Sequence, residues 1–228
     1  MLETRAIAEE LMDDPSLDPG VYAHVMRDLG KVNGVTMARL PTLGFLKRAL
    51  GARKQFRLLD VGYGGGDMLR AIAIWSAKRG ISAELVGVDL NPRSETAAKT
   101  VTPKTMPIRY ITGDYADMAS EGFDFIVSSL VAHHMTRAEL IAFLRFMEAN
   151  ASRGWFINDL HRHGFAWLGY PLLANLMRWH PIVRHDGRLS IARSYRPGEW
   201  PPLLEEAGVK SARVRRVFPF RLCVEAIR

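Results

Sequence analysis

The sequence predicts an α/β domain built on a seven-stranded, mostly parallel sheet that ends in an antiparallel hairpin. Three observations predict it. Between residues 54 and 159, short apolar, β-rich runs alternate with helical patterns, which is the signature of βαβ units. The first of these runs feeds a glycine-rich loop that opens into a helix. Beyond Gly208, two strand-like runs are separated only by Pro219 and Phe220. Strands joined so tightly are antiparallel, because a parallel return needs a crossover of about a dozen residues or more.

Five strands are expected before the hairpin, at residues 56–61, 83–88, 108–112, 123–130 and 155–160, and the hairpin adds 212–218 and 221–227. Between the first two, Met68, Leu69, Ile72 and Trp75 recur at helical spacing and form an amphipathic crossover. Thr136 and Glu139 make a capping-box pair ahead of Leu140, Phe143, Leu144 and Met147, which share one helical face. Residues 1–50 read as an N-terminal helical cap containing a turn-rich stretch at 13–20, and 51–228 as the main domain. Within the latter, 161–199 is an insertion after the fifth strand, rich in aromatic and aliphatic residues. Pro171 is placed to start a helix there, with Leu172, Leu173, Leu176, Met177 and Trp179 giving it an apolar face. Such a helix, following a strand's carboxyl end, is positioned to act as a lid.

A length of 228 residues with 48% hydrophobic and 24% charged residues suits one folded core and argues against disorder. No apolar run approaches the roughly 18 residues of a membrane span, and the first residues lack a leader pattern. A lone thiol, Cys223 in an apolar stretch, forms no internal disulfide, and a reducing cytoplasm is the expected location. The net charge of +7 invites nucleic acid or an anionic membrane surface, yet the basic residues are scattered apart from 178–193 and 210–216. Solvated surface charge is the default reading, with peripheral membrane contact as the alternative, and the chain is expected to be a monomer or homodimer.

The sharpest motif is Leu58-Leu59-Asp60-Val61-Gly62-Tyr63-Gly64-Gly65-Gly66-Asp67. Glycines let the backbone turn tightly and approach a ligand, and the helix that follows offers unpaired N–H groups. A dinucleotide fingerprint would place its third glycine at position 67, where this chain has Asp67. Asp60 would also repel a pyrophosphate. Asp60 suits a ligand with an amino group and a sulfonium instead. The segment resembles motif I of the class I methyltransferases, which implies that Asp60, Gly62, Gly64 and Gly66 hold S-adenosylmethionine, with S-adenosylhomocysteine as product. Tyr63 departs from the small residue usual there. Asp89, with Leu90 after it, ends the second strand where a carboxylate can accept both ribose hydroxyls. By the same resemblance Asp114 and Tyr115 bind the adenine, and Ser128 belongs to the fourth motif, at a site-facing strand end.

The loop after the fourth strand narrows the acceptor. It lacks the Asn/Asp-Pro-Pro-Tyr segment of amino methyltransferases, and no thiol stands where cytosine C5 enzymes need one. Nucleic-acid acceptors therefore lose ground. His133 and His134 follow instead, and His161 follows Asp159. Histidine accepts protons near neutrality, and a phenol reacts better as its anion, so His133 or His134 is the expected base, with His161, oriented by Asp159, as the alternative. A metal site from Asp159, His161 and His163 is disfavoured, because alternate residues at a strand end rarely converge on one ion. The chain resembles the ubiquinone/menaquinone-type small-molecule methyltransferases over 56–160. More faintly, in Glu10-Leu11-Met12-Asp13-Asp14-Pro15 and Phe156-Ile157-Asn158-Asp159-Leu160-His161-Arg162, it resembles bacterial enzymes associated with phenolic lipids and type III polyketide products. That implies O-methylation of a small aromatic acceptor. Asn33 and Arg39 are expected to close over the cofactor's carboxylate. Open rivals are an RNA methyltransferase, a cofactor-binding partner subunit without catalysis, and a nicotinamide enzyme.

Overall fold

The computed structural model describes residues 2–228, and its core is one seven-stranded sheet in the order β3-β2-β1-β4-β5-β7-β6. The strands are β1 (Gln55–Val61), β2 (Ser82–Asp89), β3 (Ile108–Thr112), β4 (Phe123–Ser129), β5 (Ala151–Leu160), β6 (Arg213–Val217) and β7 (Arg221–Ile227). β1 to β5 pair in parallel, while β7 is antiparallel to both β5 and β6. Strand order reverses at β1, whose neighbours are β2 and β4, and Val61 lies level with Val88 and Ser128. Connections leave in opposite directions there and open a crevice at the carboxyl ends.

Two-residue periodicity sorts the side chains of each strand. In β1, Leu58 faces α2 (Leu40–Leu50) and α3 (Asp67–Ala77), while Leu59 and Val61 face α5 (Arg137–Asn150) and α8 (Trp200–Ala207). Phe45 of α2 stacks on Phe156 of β5 with centroids 4.9 Å apart. The capping box forms as expected: Glu139 N–H donates to the Thr136 hydroxyl, and Thr136 N–H donates to the Glu139 carboxylate at 2.7 Å. Ala98 of α4 (Pro92–Val101) completes the first layer.

A third cluster sits apart from these two layers. Tyr22, Val25 and Met26 of α1 (Pro19–Val35) meet Ala174 of α6 (Gly164–Leu176), Trp179, and Val183 of α7 (Pro181–Arg193). The insertion therefore carries two helices packed on each other, and they share a buried cluster with the N-terminal helix. Two expectations are corrected. Residues 2–18 hold no helix beyond a single turn at Leu11–Asp13. Pro171 lies inside α6, which starts at Gly164, where the ring of His163 accepts from Phe165 N–H. The hydrogen bond lost at Pro171 is tolerated because Ala174 is buried in the cluster and the Tyr170 hydroxyl donates to Val183 O at 2.7 Å. Among the described residues, no helix is long and apolar enough to cross a membrane.

Candidate active site

A cavity of 690 Å³ opens at the carboxyl ends of β1, β2 and β4, roofed by α1, α6 and α7. The glycine loop forms part of its lining. Gly62 and Gly66 have φ of +74° and +71°. A side chain at Gly62 would collide with Val131, and one at Gly66 would meet the Tyr110 hydroxyl at 2.5 Å, so both positions exclude a Cβ twice over. Gly64 N–H donates to Asp89 Oδ2 at 2.8 Å, while Asp89 Oδ1 accepts from Asn91 N–H at 2.9 Å, which aims the carboxylate at the cavity. Burial raises the Asp89 carboxyl above its ordinary range against the pull of those two donors. Tyr63 turns inward: its ring packs on Tyr110 at 4.9 Å, beneath Gly87.

Behind the loop lies a smaller cavity of 30 Å³, lined by Asp60, Asn158 and Arg221 among others. Neither oxygen of Asp60 has a hydrogen-bond partner among the described residues. Burial, reinforced by Asp67 and Asp89, pushes its carboxyl well above the usual range. Arg221 is equally sealed: only one nitrogen is engaged, with Thr36 Oγ1 at 3.1 Å, and its Nε and the other terminal nitrogen have no partner among the described residues. Burial lowers its guanidinium from the ordinary value. A buried carboxyl without a partner and a buried guanidinium with only one are costly unless a ligand satisfies them. They suit the ammonium and carboxylate of a zwitterionic amino acid, which is the chemistry of the methionyl end of S-adenosylmethionine. Arg221 carries no sequence signal beyond a strand-end arginine and escaped the sequence reading.

The other expected cofactor residues divide. Leu90 lines the cavity and is largely exposed, and Tyr115 lines it while packing on Phe143 and Phe146. Asp114 is exposed and accepts from Ala116 N–H at 2.8 Å, capping a short turn. Ser128 is buried and donates to Val61 O at 2.9 Å, so it ties β4 to β1, while Ser129 and Leu130 reach the cavity. Asn33 and Arg39 bind Asp67, the latter at 2.9 Å.

His133 and His134 line the same cavity. His133 is buried, with Nδ1 on Asp159 Oδ1 at 2.7 Å and Nε2 3.5 Å from Glu10 Oε1. Burial would lower its pKa, but Asp159 and then Glu10 carry it up to about 9. Burial would likewise raise Asp159 and Glu10, but His133 outweighs it and holds both below their ordinary values. His134 is partly exposed, its Nδ1 3.3 Å from Asp13 and its Nε2 3.8 Å from Glu10. His161 does not join them. It lies outside the cavity lining beside His163, with burial and then that neighbour lowering its pKa. Asp159 thus orients His133 rather than His161, because the chain leaves β5 at Leu160 and His161 pairs backbone with Phe220. Glu10 was missed as a site residue. It reaches the site because Arg5 donates to Arg193 O, Tyr195 Oη and His133 O, and Leu11 and Met12 N–H donate to Asp186, fastening the N-terminal strap across α7. Glu10, His133 and His134 are also a donor set within 4.8 Å of one another, suited to a divalent ion, but Arg193 Nη1 at 3.8 Å already gives Glu10 a countercharge.

Residues 59–151 match the family described as a methyltransferase domain. The fold is that of the class I S-adenosylmethionine-dependent methyltransferases. A human N-acetylserotonin methyltransferase, solved with S-adenosylmethionine, superposes with a TM-score of 0.64 at 15% identity over 92% of this chain, which spans 56% of that protein's length. A methyltransferase from Aquifex aeolicus gives a TM-score of 0.63 at 17% identity, covering 93% of this chain and 99% of its own. The plantazolicin methyltransferase BamL, solved with a triazolic desmethylPZN analog and S-adenosylhomocysteine, gives 0.66 at 17% identity, with 87% and 73% covered. No curated protein matches in sequence. Residues 59–151 thus carry a methyltransferase domain, and the fold is the one these S-adenosylmethionine-dependent enzymes share.

Proposed function

We propose that this methyltransferase O-methylates a small phenolic or quinol-like acceptor, with His133 as the base. The observation that carries the reading is that the glycine loop and His133 line one 690 Å³ cavity. Met26, Leu29, Tyr170, Leu173 and Ile191 line the same space. Apolar walls with one convergent polar cluster favour a neutral, flat acceptor over a polyanion.

When bound, S-adenosylmethionine would supply an electrophilic methyl group. Everything else is the protein's. Asp60 and Arg221 would hold its amino acid end and Asp89 its ribose, leaving the walls from α6 and α7 to the acceptor. Asp159 accepts a hydrogen bond from Nδ1–H of His133 and so leaves Nε2, which has no hydrogen-bond partner among the described residues, as the nitrogen that takes up a proton. A base near pKa 9 is well matched to a phenol near 10, so proton transfer is almost thermoneutral. As the acceptor oxygen attacks, its proton passes to Nε2, and Glu10 stabilises the resulting imidazolium.

Mass spectrometry of a phenol and quinol panel incubated with protein and isotope-labelled cofactor tests this. Labelled methyl ethers that vanish in Asp89→Ala and fall about a hundredfold in His133→Gln support it. Labelling confined to RNA or peptide, or His133→Gln at full rate, overturns it.

A further inference from the structure

We propose that α6 and the β6–β7 turn form a docking surface for an anionic lipid bilayer, with the cavity mouth opening beside it. This inference stands apart from the methyl-transfer reading.

Helix α6 contains no charged residue along its 13 positions. Its inner side packs on α7 and joins the cluster shared with α1 through Ala174, yet its outer side is apolar as well. Phe165, Leu168, Leu172 and Leu176 follow one another at steps of three and four, which places them in a single line along the helix. They are 62–78% exposed. A helix apolar all round belongs in a protein interior or against lipid, and this one has protein on one side only. The ridge continues beyond α6: the His163 ring lies 5.6 Å from Phe165 and 5.0 Å from Phe220, next to Phe218, which is 80% exposed.

Charge selects the occupant. From residue 160 to 185 there is no Asp or Glu, and from 207 to 224 there is none. Arg178, just past the end of α6, and Arg216, beside the β6–β7 turn, are exposed. An apolar ridge with cationic, acid-free flanks is the pattern of an interfacial anchor on anionic lipid. A second copy of the chain fits less well, because a stable interface uses roughly 20–30 residues a side and this ridge offers a handful. Phe165 and Phe220 line the cavity as well as the ridge, so an acceptor dissolved in the bilayer would enter without crossing water.

Co-flotation with phosphatidylcholine vesicles, with and without phosphatidylglycerol, tests the surface. The full chain is expected to float with the mixed vesicles and much less with phosphatidylcholine alone. The triple variant L168S/L172S/L176S, which leaves the cavity lining intact, should lose at least about tenfold in partitioning. R178E/R216E should lose about tenfold on anionic vesicles alone. Calorimetric binding of S-adenosylhomocysteine, unchanged in each variant, shows that the fold survives; should the triple variant fail that control, the charge variant decides. Absence of flotation by the full chain, or flotation equal in all variants, overturns the proposal. So does light scattering that finds a dimer which L168S/L172S/L176S dissociates, because that assigns the ridge to a second copy.

Discussion

Asp60 and Arg221 are each surrounded by protein and left without full hydrogen bonding, so each is destabilising until something of opposite charge arrives. The affinity for the cofactor should therefore depend on both. A charge-assisted hydrogen bond contributes about 1.5–3 kcal/mol, which predicts a loss of about 10- to 150-fold in S-adenosylhomocysteine affinity for Asp60→Asn, and a similar loss for Arg221→Gln, by calorimetry. Because burial, Asp67 and Asp89 raise the Asp60 carboxyl in the free protein, binding of an ammonium should release a proton. Repeating the titration in buffers of different ionisation enthalpy measures that proton, and Asp60→Asn should abolish its release. His133 gives a separate signature. With its pKa at about 9, only about one molecule in a hundred holds the neutral base at pH 7. The rate should climb about tenfold per pH unit towards 9 and then level off, and a flat profile across that range would remove His133 from the reaction.

Among the elements, the glycine loop carries the strictest local requirement. Gly62→Ala must place a Cβ at φ +74° and against Val131. Both terms oppose folding, and together they should cost about 2–4 kcal/mol in urea unfolding, with S-adenosylhomocysteine affinity falling in parallel. Elements of this kind were legible from sequence because their signals are local: glycines where φ is positive, Thr136 and Glu139 at a helix start, apolar runs that become parallel strands. β3 and β7 occupy the predicted residues, while β5 begins at Ala151, ahead of the predicted 155. What stayed illegible depends on distant packing. Nothing near Pro171 announces that α7 will hold α6 together through it. Glu10 sits in a segment without regular structure, and its place against His133, 123 positions later in the chain, is set by Arg5, Ser190 and Asp186. Arg221 looks like any strand-end cation until the antiparallel pairing with β5 brings it level with Leu160.

At the scale of the molecule, the same ion network ties pH to stability and the strap to the cavity. His133 is raised from 6.5 to about 9 on folding, so its contribution is complete below about 6.5 and is lost as pH climbs towards 9. Melting temperature should fall across that window in the parent chain and less steeply in His133→Gln. Arg5 extends the argument to the whole fold, because it joins the N-terminal strap to α7 through Arg193 O, to Tyr195, and to the carbonyls of His133 and Met135. Arg5→Ala leaves those acceptors to water and frees Glu10 to leave His133. Discounted for its partial exposure, the loss should be about 2 kcal/mol, or about 4–8 °C in melting temperature for a chain of this size. Hydrogen exchange should quicken over residues 2–18 and leave β1 to β5 protected, since the strap touches none of the sheet's hydrogen bonds. With Glu10 released, the His133 pKa should drop from about 9 and the pH–rate profile should level off earlier. A variant that melts lower but keeps the parent's pH profile would mean that Asp159 alone sets the basicity of His133.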